Sequence, residues 1–337
     1  MAEPVSIKTH GIYDVIHNDE KKIVIIMPSP RTNRSAKIIK INEEKKVNFE
    51  LFKCGDGHAY VYISEEEEEY KKEIKLEING KIIETKVNKY PCYKGKILMS
   101  TMVYNEDNYI RQWIKFNRNI GVDNFIIYDN SKSNYDGKSH HSKEETSNLS
   151  ELLKDLIEEG TVLLINWPYL KRESRTKISG QACQQNHTIN TFKTSKYIGL
   201  FDIDEYLNMQ EHEKINELLE DTIETEKLDI NEIGSFVVKC KFFFNPHNKP
   251  EEGYEFLKIS DCGELKDSTR LRCKNFIIPK NVTNYCVHNI TNGKNKYGLN
   301  KEKVYFNHYF YLNKKDRGRE NKRNNDNSIM RHTKSLF

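Results

Sequence analysis

The sequence predicts an α/β protein in which a mostly parallel sheet flanked by helices follows a β-sandwich-like domain. Two observations carry this. Residues 1–92 are a succession of short β-branched segments without a helical period, and beyond residue 93 strands alternate with helical stretches.

In the first region the segments "KKIVIIMP", "AKIIKIN", "VNFELFK", "HAYVYIS", "KEIKLEI" and "KIIETKV" are each closed by turn or charged residues, the pattern of an antiparallel sandwich. The run "SEEEEEYKKE" reads as a solvated turn, because adjacent acidic side chains point in different directions and do not converge on one ion. The period changes near "KYPCYKGK", where Pro91 suits a linker. This divides the chain into a β-rich accessory domain (1–92), a main domain (93–320) and a basic tail (321–337) expected to be flexible.

The main domain opens with a buried strand, "KILMSTMVY". In "DNYIRQWIKFNRNIG" the residues Ile110, Trp113, Ile114 and Asn117 recur at helical spacing and Gly121 marks the stop. The strand "VDNFIIYDNS", a polar loop, the helix "NLSELLKDLIEEG", the strand "TVLLINW", a helix over roughly 173–194 and the strand "YIGLFDID" follow. Strand–helix–strand repetition argues for parallel pairing with right-handed crossovers, and such sheets bind ligands at the carboxyl ends of their strands. Asn105 and Glu106 end the first strand, Asp129, Asn130 and Ser131 the second, Trp167 the third, and Asp202, Asp204 and Glu205 the fourth, all on one edge.

Composition excludes more than it identifies. Lys and Arg outnumber Asp and Glu by 54 to 50, a net charge of +4 too dilute to argue for nucleic acid. A hydrophobic fraction of 36% with a mean hydropathy of −0.79 fits a soluble globular chain. Neither an apolar leader nor a run long enough to span a bilayer is visible, so a cytoplasmic protein without a membrane span is expected. The seven cysteines are scattered without a CxxC pair, which favours reduced thiols over disulfides or zinc. No GxxxxGK[ST] loop is present, which excludes a P-loop mechanism.

Three carboxylates behind a core strand need a partner. Capping accounts for one of them, Asp204, and paired acid–base chemistry is a second possibility. A divalent cation fits better: Asp202 and Asp204, two apart on a strand, share a face, and carboxylate oxygens suit Mg²⁺ or Mn²⁺ held with a phosphate. Glu205 should then point away and orient the loop from behind.

The stretches "MVYNEDNYIRQWIKFNRNIGVDNFIIYDNS" and "YIGLFDIDEYLNM" resemble glycosyltransferase family 92, whose motifs read like "KNE…L.EW…H...GV..F.IYDN.S" and "F.DIDEFL". The likeness continues through "SFVVKCKFFFNPHNKP", "RCKNFIIPKNVTNYCVHNI" and "NHYFYLNKKDRGREN", covering about residues 95–320. The sequence departs from the pattern in having Tyr104 before the Asn-Glu pair, in lacking a Trp before "KYIGLFDID", and in a compressed "NHYFYLNKKDRG".

The resemblance implies a GT-A fold and inverting transfer of a sugar, galactose favoured, from a UDP-sugar to a glycan or glycoprotein acceptor. It implies Asn105, Glu106, Asp129 and Asn130 near the nucleoside, and Mn²⁺ or Mg²⁺ on Asp202 and Asp204 with a histidine, His288 in preference to His308. Lys274 is expected to meet a phosphate, and Asp261 or Glu264 to serve as the general base. The rival reading is an inactive GT-A-like carbohydrate-binding protein, which metal-dependent hydrolysis of a UDP-sugar would separate from an enzyme.

Overall fold

The structure, a computed structural model, describes residues 12–28, 38–41, 46–54, 58–104, 107–130, 148–167, 178–243, 261–263, 273–309, 323–326 and 328–333. Its N-terminal part holds β1 (Asp14–His17), β2 (Ile23–Pro28), β3 (Ile38–Ile41), β4 (Lys46–Lys53), β5 (Ala59–Ser64), β6 (Glu73–Ile78) and β7 (Lys81–Lys86). These form one antiparallel sheet in the order β1-β2-β5-β4-β3-β6-β7. The expected sandwich is therefore a single curled sheet. Because β3 pairs with both β4 and β6 the ladder never splits in two, and its ends meet where Val15 and His17 bond the backbone of Asn88. Inside the curl Val15, Ile23, Ile25, Tyr62, Leu76 and Val87 are buried together.

Next come β8 (Ile97–Val103), α1 (Asp107–Asn119), β9 (Asn124–Asp129), α2 (Leu149–Leu152), α3 (Lys154–Glu158), β10 (Val162–Asn166), α4 (Ile178–Thr191) and β11 (Tyr197–Leu200). Helix α1 buries Ile110, Trp113, Ile114 and Asn117, and Gly121 closes it at φ +98°, as the spacing predicts. The chain continues through β12 (Glu205–Met209), α5 (Ile215–Thr225), β13 (Ile233–Phe243), β14 (Asp261–Gly263), β15 (Cys273–Ile277), β16 (Val282–Cys286), β17 (Asn289–Gly293), β18 (Asn295–Gly298), β19 (Val304–Tyr309) and β20 (Arg323–Asn325).

The larger sheet runs β10-β9-β8-β11-β15-β13-β14-β20, with β12, β18 and β19 off that path. Its first four strands are parallel. From β11 onward antiparallel pairing enters at β11–β15, β15–β13 and β12–β19, so the sheet is mixed and not mostly parallel. Past Glu205 both kinds of pairing occur, since β13 also runs parallel to β18 and β19.

Side-chain alternation gives this sheet two covered faces. Ile97, Met99, Phe125, Ile127 and Leu164 face α1 and α5, whereas Leu98, Ile126, Tyr128, Ile165 and Ile198 face α4 and the N-terminal sheet. At Gly199 a β-carbon would collide with the Met99 sulfur and touch the Phe276 ring, so glycine lets β8 and β15 close on β11.

Helix α4 is buried on every side despite its polar sequence, and its amides are bonded into the neighbouring elements. Asn186 donates to the Tyr285 carbonyl at 2.7 Å and accepts the Tyr285 N–H at 2.9 Å, taking the place of a strand beside β16. On its other side His187 Nε2 lies 3.0 Å from Asp14 Oδ2 and Asn18 donates to the Asn190 carbonyl. Tyr128 OH meets His187 Nδ1 at 2.7 Å, and Tyr13 stacks on Trp167 at 4.4 Å. The accessory and main regions thus share one apolar cluster.

The described residues of the C-terminal segment, expected to be a flexible tail, are built into the fold. Strand β20 pairs with β14, and a 3₁₀ turn over Ser328–His332 packs on β12, where His332 Nε2 lies 2.9 Å from the Met209 carbonyl. Cys54, Cys92, Cys183, Cys240, Cys273 and Cys286 are thiols outside any disulfide. Among the described residues, no helix is long and apolar enough to cross a membrane.

Candidate functional site

Parallel pairing of β10, β9, β8 and β11 puts their carboxyl ends on one edge. There Asp129, buried at the end of β9, bonds through its carbonyl to the Trp167 N–H. Asn130 spans two strand ends: its N–H donates to the Val103 carbonyl and its side chain to the Trp167 carbonyl at 2.7 Å.

Beyond Leu200 the chain leaves β11, turns, and re-enters as β12. The Glu205 N–H donates to the Asp202 carbonyl at 3.1 Å, so residues 202–205 form a turn. Asp202 and Asp204 therefore do not share a strand face; the turn sends each to a different cation. Asp202 Oδ2 meets Lys274 Nζ at 2.7 Å, and Asp204 Oδ2 meets His308 Nε2 at 3.3 Å. Both partners arrive by strand register. Lys274 comes from β15, hydrogen-bonded beside β11, and His308 stands directly opposite Glu205 in the β12–β19 pair.

Glu205, expected to point away, is the centre of the cluster. Its Oε2 accepts the Asp202 N–H at 2.9 Å and lies 3.0 Å from Lys274 Nζ, while Oε1 faces His308 Nδ1 at 3.7 Å. From behind, the Trp113 indole donates to the Glu205 carbonyl at 3.2 Å, Cys240 Sγ lies 3.9 Å from His308 Nδ1, and the Phe242 ring lies against the imidazole. The turn also connects to β19, where the Tyr309 N–H donates to the Asp204 carbonyl.

Burial is graded across the cluster. The Glu205 and Lys274 side chains are 2% and 3% exposed, His308 14%, and Asp204 and Asp202 open to 30% and 43%, so the two aspartates form the accessible rim. Burial pushes Glu205 up, the Lys274 ammonium pulls it back and the Asp202 charge adds to the rise, leaving it at about 7. For Lys274 the cost of burial is outweighed by Asp202 and Glu205, which hold it above its usual range. Burial likewise opposes charge on Asp204 and His308, but each stabilises the other: Asp204 is lowered and His308 raised well above an ordinary histidine.

Of the expected site residues, Asp202, Asp204, Lys274 and His308 come together here. Their link to Glu205 was carried in the sequence by its position in the same tetrapeptide, while Trp113 and Cys240 gave no signal beyond apolar periodicity. His288 is on the turn joining β16 to β17, with Nδ1 3.0 Å from the carbonyl of Cys273, the residue before Lys274. Lys274, expected to meet a phosphate, is held by two carboxylates. Asp261 opens β14, which pairs with β13. Asn105, Glu106 and Glu264 lie outside the described residues.

Ligand atoms of Asp204, Glu205 and His308 all lie within 4.8 Å of one another. Two carboxylates and an imidazole form a donor set that Mg²⁺ or Mn²⁺ accepts, so the residues fit a divalent cation.

The architecture and this edge define an α/β protein with an acidic, histidine-bearing cluster at its strand ends. The sequence profile of "Glycosyltransferase family 92" matches residues 97–335, and the chain belongs to that family. A glycosyltransferase family 92 protein of Ricinus communis is 23% identical over 133 residues, a stretch that spans 39% of this chain and 20% of that relative.

Proposed function

We propose that this protein is a metal-dependent glycosyltransferase of GT-A architecture that moves a hexose, galactose favoured, from a UDP-sugar to a glycan acceptor with inversion. The observation that carries the reading is the convergence of Asp202, Asp204, Glu205 and His308 just beyond the end of a parallel strand, where nucleotide ligands sit in open α/β sheets.

Asp204 and His308, with Glu205 beside them, would hold the cation, and Asp202 would reach it from the rim. When bound, the metal supplies charge stabilisation for the departing diphosphate. The protein's own residues do the rest. Asp129 and Asn130 shape the edge on which the nucleoside rests, and the buried Glu205 fixes the turn that presents both aspartates. Inversion is supported by Glu205, which is 2% exposed and paired and so is not free to attack the sugar as a double displacement requires. A remote base then deprotonates the acceptor hydroxyl, with Asp261 and Glu264 as its candidates.

Asp204→Ala tests this. Its side chain is 30% exposed, so truncation removes a ligand without opening a core cavity. Calorimetry should show UDP binding in Mn²⁺ weakened at least about tenfold. Hydrolysis of a UDP-sugar should lose its metal dependence, with an unchanged circular dichroism spectrum. Unaltered affinity and turnover would overturn the assignment.

A further inference from the structure

A fixed ammonium sits among the three carboxylates. Lys274 Nζ lies 2.7 Å from Asp202 Oδ2 and 3.0 Å from Glu205 Oε2, on a side chain 3% exposed. Glu205 Oε2 also accepts the Asp202 N–H at 2.9 Å, so the lysine and the Asp202 backbone share one oxygen. A surface lysine swings freely, but this one is pinned: its departure would leave Glu205, itself 2% exposed, without that cation.

A divalent ion arriving alone at Asp204, Glu205 and His308 therefore meets a positive charge already held by the same cluster. Like-charge repulsion at such range, in a partly buried site, costs more than about tenfold in affinity. A diphosphate arriving with the ion offsets both cations. We infer that Lys274 is a positioning residue that fills the Asp202–Glu205 half of the site as a resident cation, so that a divalent ion binds tightly only together with a diphosphate. The lysine also keeps Asp202 and Glu205 together while no metal is bound, when their mutual repulsion would splay the turn. This inference rests on the metal-dependent transfer proposed above.

The test is Mn²⁺ binding, measured by calorimetry and by the EPR signal of free Mn²⁺, with and without UDP. Wild type should bind Mn²⁺ weakly alone and tightly with UDP. Lys274→Met, apolar and of similar length, should bind Mn²⁺ alone at least about tenfold more tightly than wild type and lose most of the synergy with UDP. Lys274→Gln, which keeps donors for both carboxylates, should do the same if the methionine variant fails to fold, and Lys274→Arg should keep the wild-type pattern. Wild-type protein that binds Mn²⁺ equally well with and without UDP, or neutral variants that gain nothing, would overturn the inference while leaving the metal site standing. Absence of Mn²⁺ binding by wild type even with UDP would instead remove the proposed function.

Discussion

Replacing Glu205 separates a residue that organises the site from one that merely occupies it. Its carboxylate is 2% exposed, accepts the Asp202 N–H, contacts Lys274 and faces His308. In Glu205→Ala the Asp202 N–H loses its acceptor, at about 1–3 kcal/mol if no water reaches it. Lys274 loses one of two counter-ions. Breaking a buried pair outright costs about 3–5 kcal/mol, and because Asp202 still holds the lysine the lower end applies, giving about 4–6 kcal/mol overall with the lost N–H bond. Glu205→Gln keeps an oxygen in place to accept the Asp202 N–H and removes only the charge. Its cost should be about 1–2 kcal/mol. Urea unfolding followed by circular dichroism and tryptophan fluorescence, without metal or nucleotide, should rank wild type above Gln and Gln above Ala. An alanine variant as stable as wild type, or a glutamine variant less stable than alanine, would refute the account of Glu205 as the anchor of this turn.

Asp326 gives a pH signature away from the site. Burial opposes its ionisation, but Lys241, Ser328 and Tyr305 outweigh it and hold the carboxyl at about 2, below its ordinary 3.8. A depressed acid stabilises the fold above its unfolded value and loses that contribution as pH falls through the folded one. Asp326→Asn should therefore melt lower than wild type at pH 6, with the gap closing between about pH 4 and 2; a gap that stays constant in acid would refute the assignment. A fragment of residues 93–337 should be insoluble or molten by gel filtration and near-UV circular dichroism, because β2 and β5 cover Ala182, Cys183 and Ile189 of α4. A soluble fragment with a sharp melt would show a self-sufficient core.

Much of this fold is visible in the sequence where the signal is local. The six N-terminal β-branched segments are strands, and α1 and β8 to β11 fall where period and stop residues place them. The acidic tetrapeptide likewise announces itself. Its geometry does not, because Asp202 and Glu205 take their cation from a residue 72 positions away from Asp202, and register between β15 and β11 decides that pairing. Strand periodicity misdirected Glu205 because the backbone turns at 202–205, where the two-residue alternation no longer applies. Helix α4 was legible as a helix but not as a buried one, since its Gln, Asn, His and Thr side chains form no apolar stripe and find partners in β1, β8, β9 and β16.

That polar helix imposes an order on synthesis. The outer face of the N-terminal sheet, with Tyr13, Ile16, Val24, Ile26 and Val61, is covered in the finished molecule by α4 and the strands around it. The bonds that close this face span 172 to 173 residues, from Asn18 to Asn190 and from Asp14 to His187. Once β5 has left the ribosome, about 130 further residues must follow before α4 is complete, roughly 6–25 s at ordinary elongation rates. Throughout that interval the nascent chain presents a greasy sheet with nothing to bury it. A holding chaperone that binds extended apolar surface should therefore dwell on this chain between the appearance of residue 64 and that of residue 191, and let go once α4 has docked.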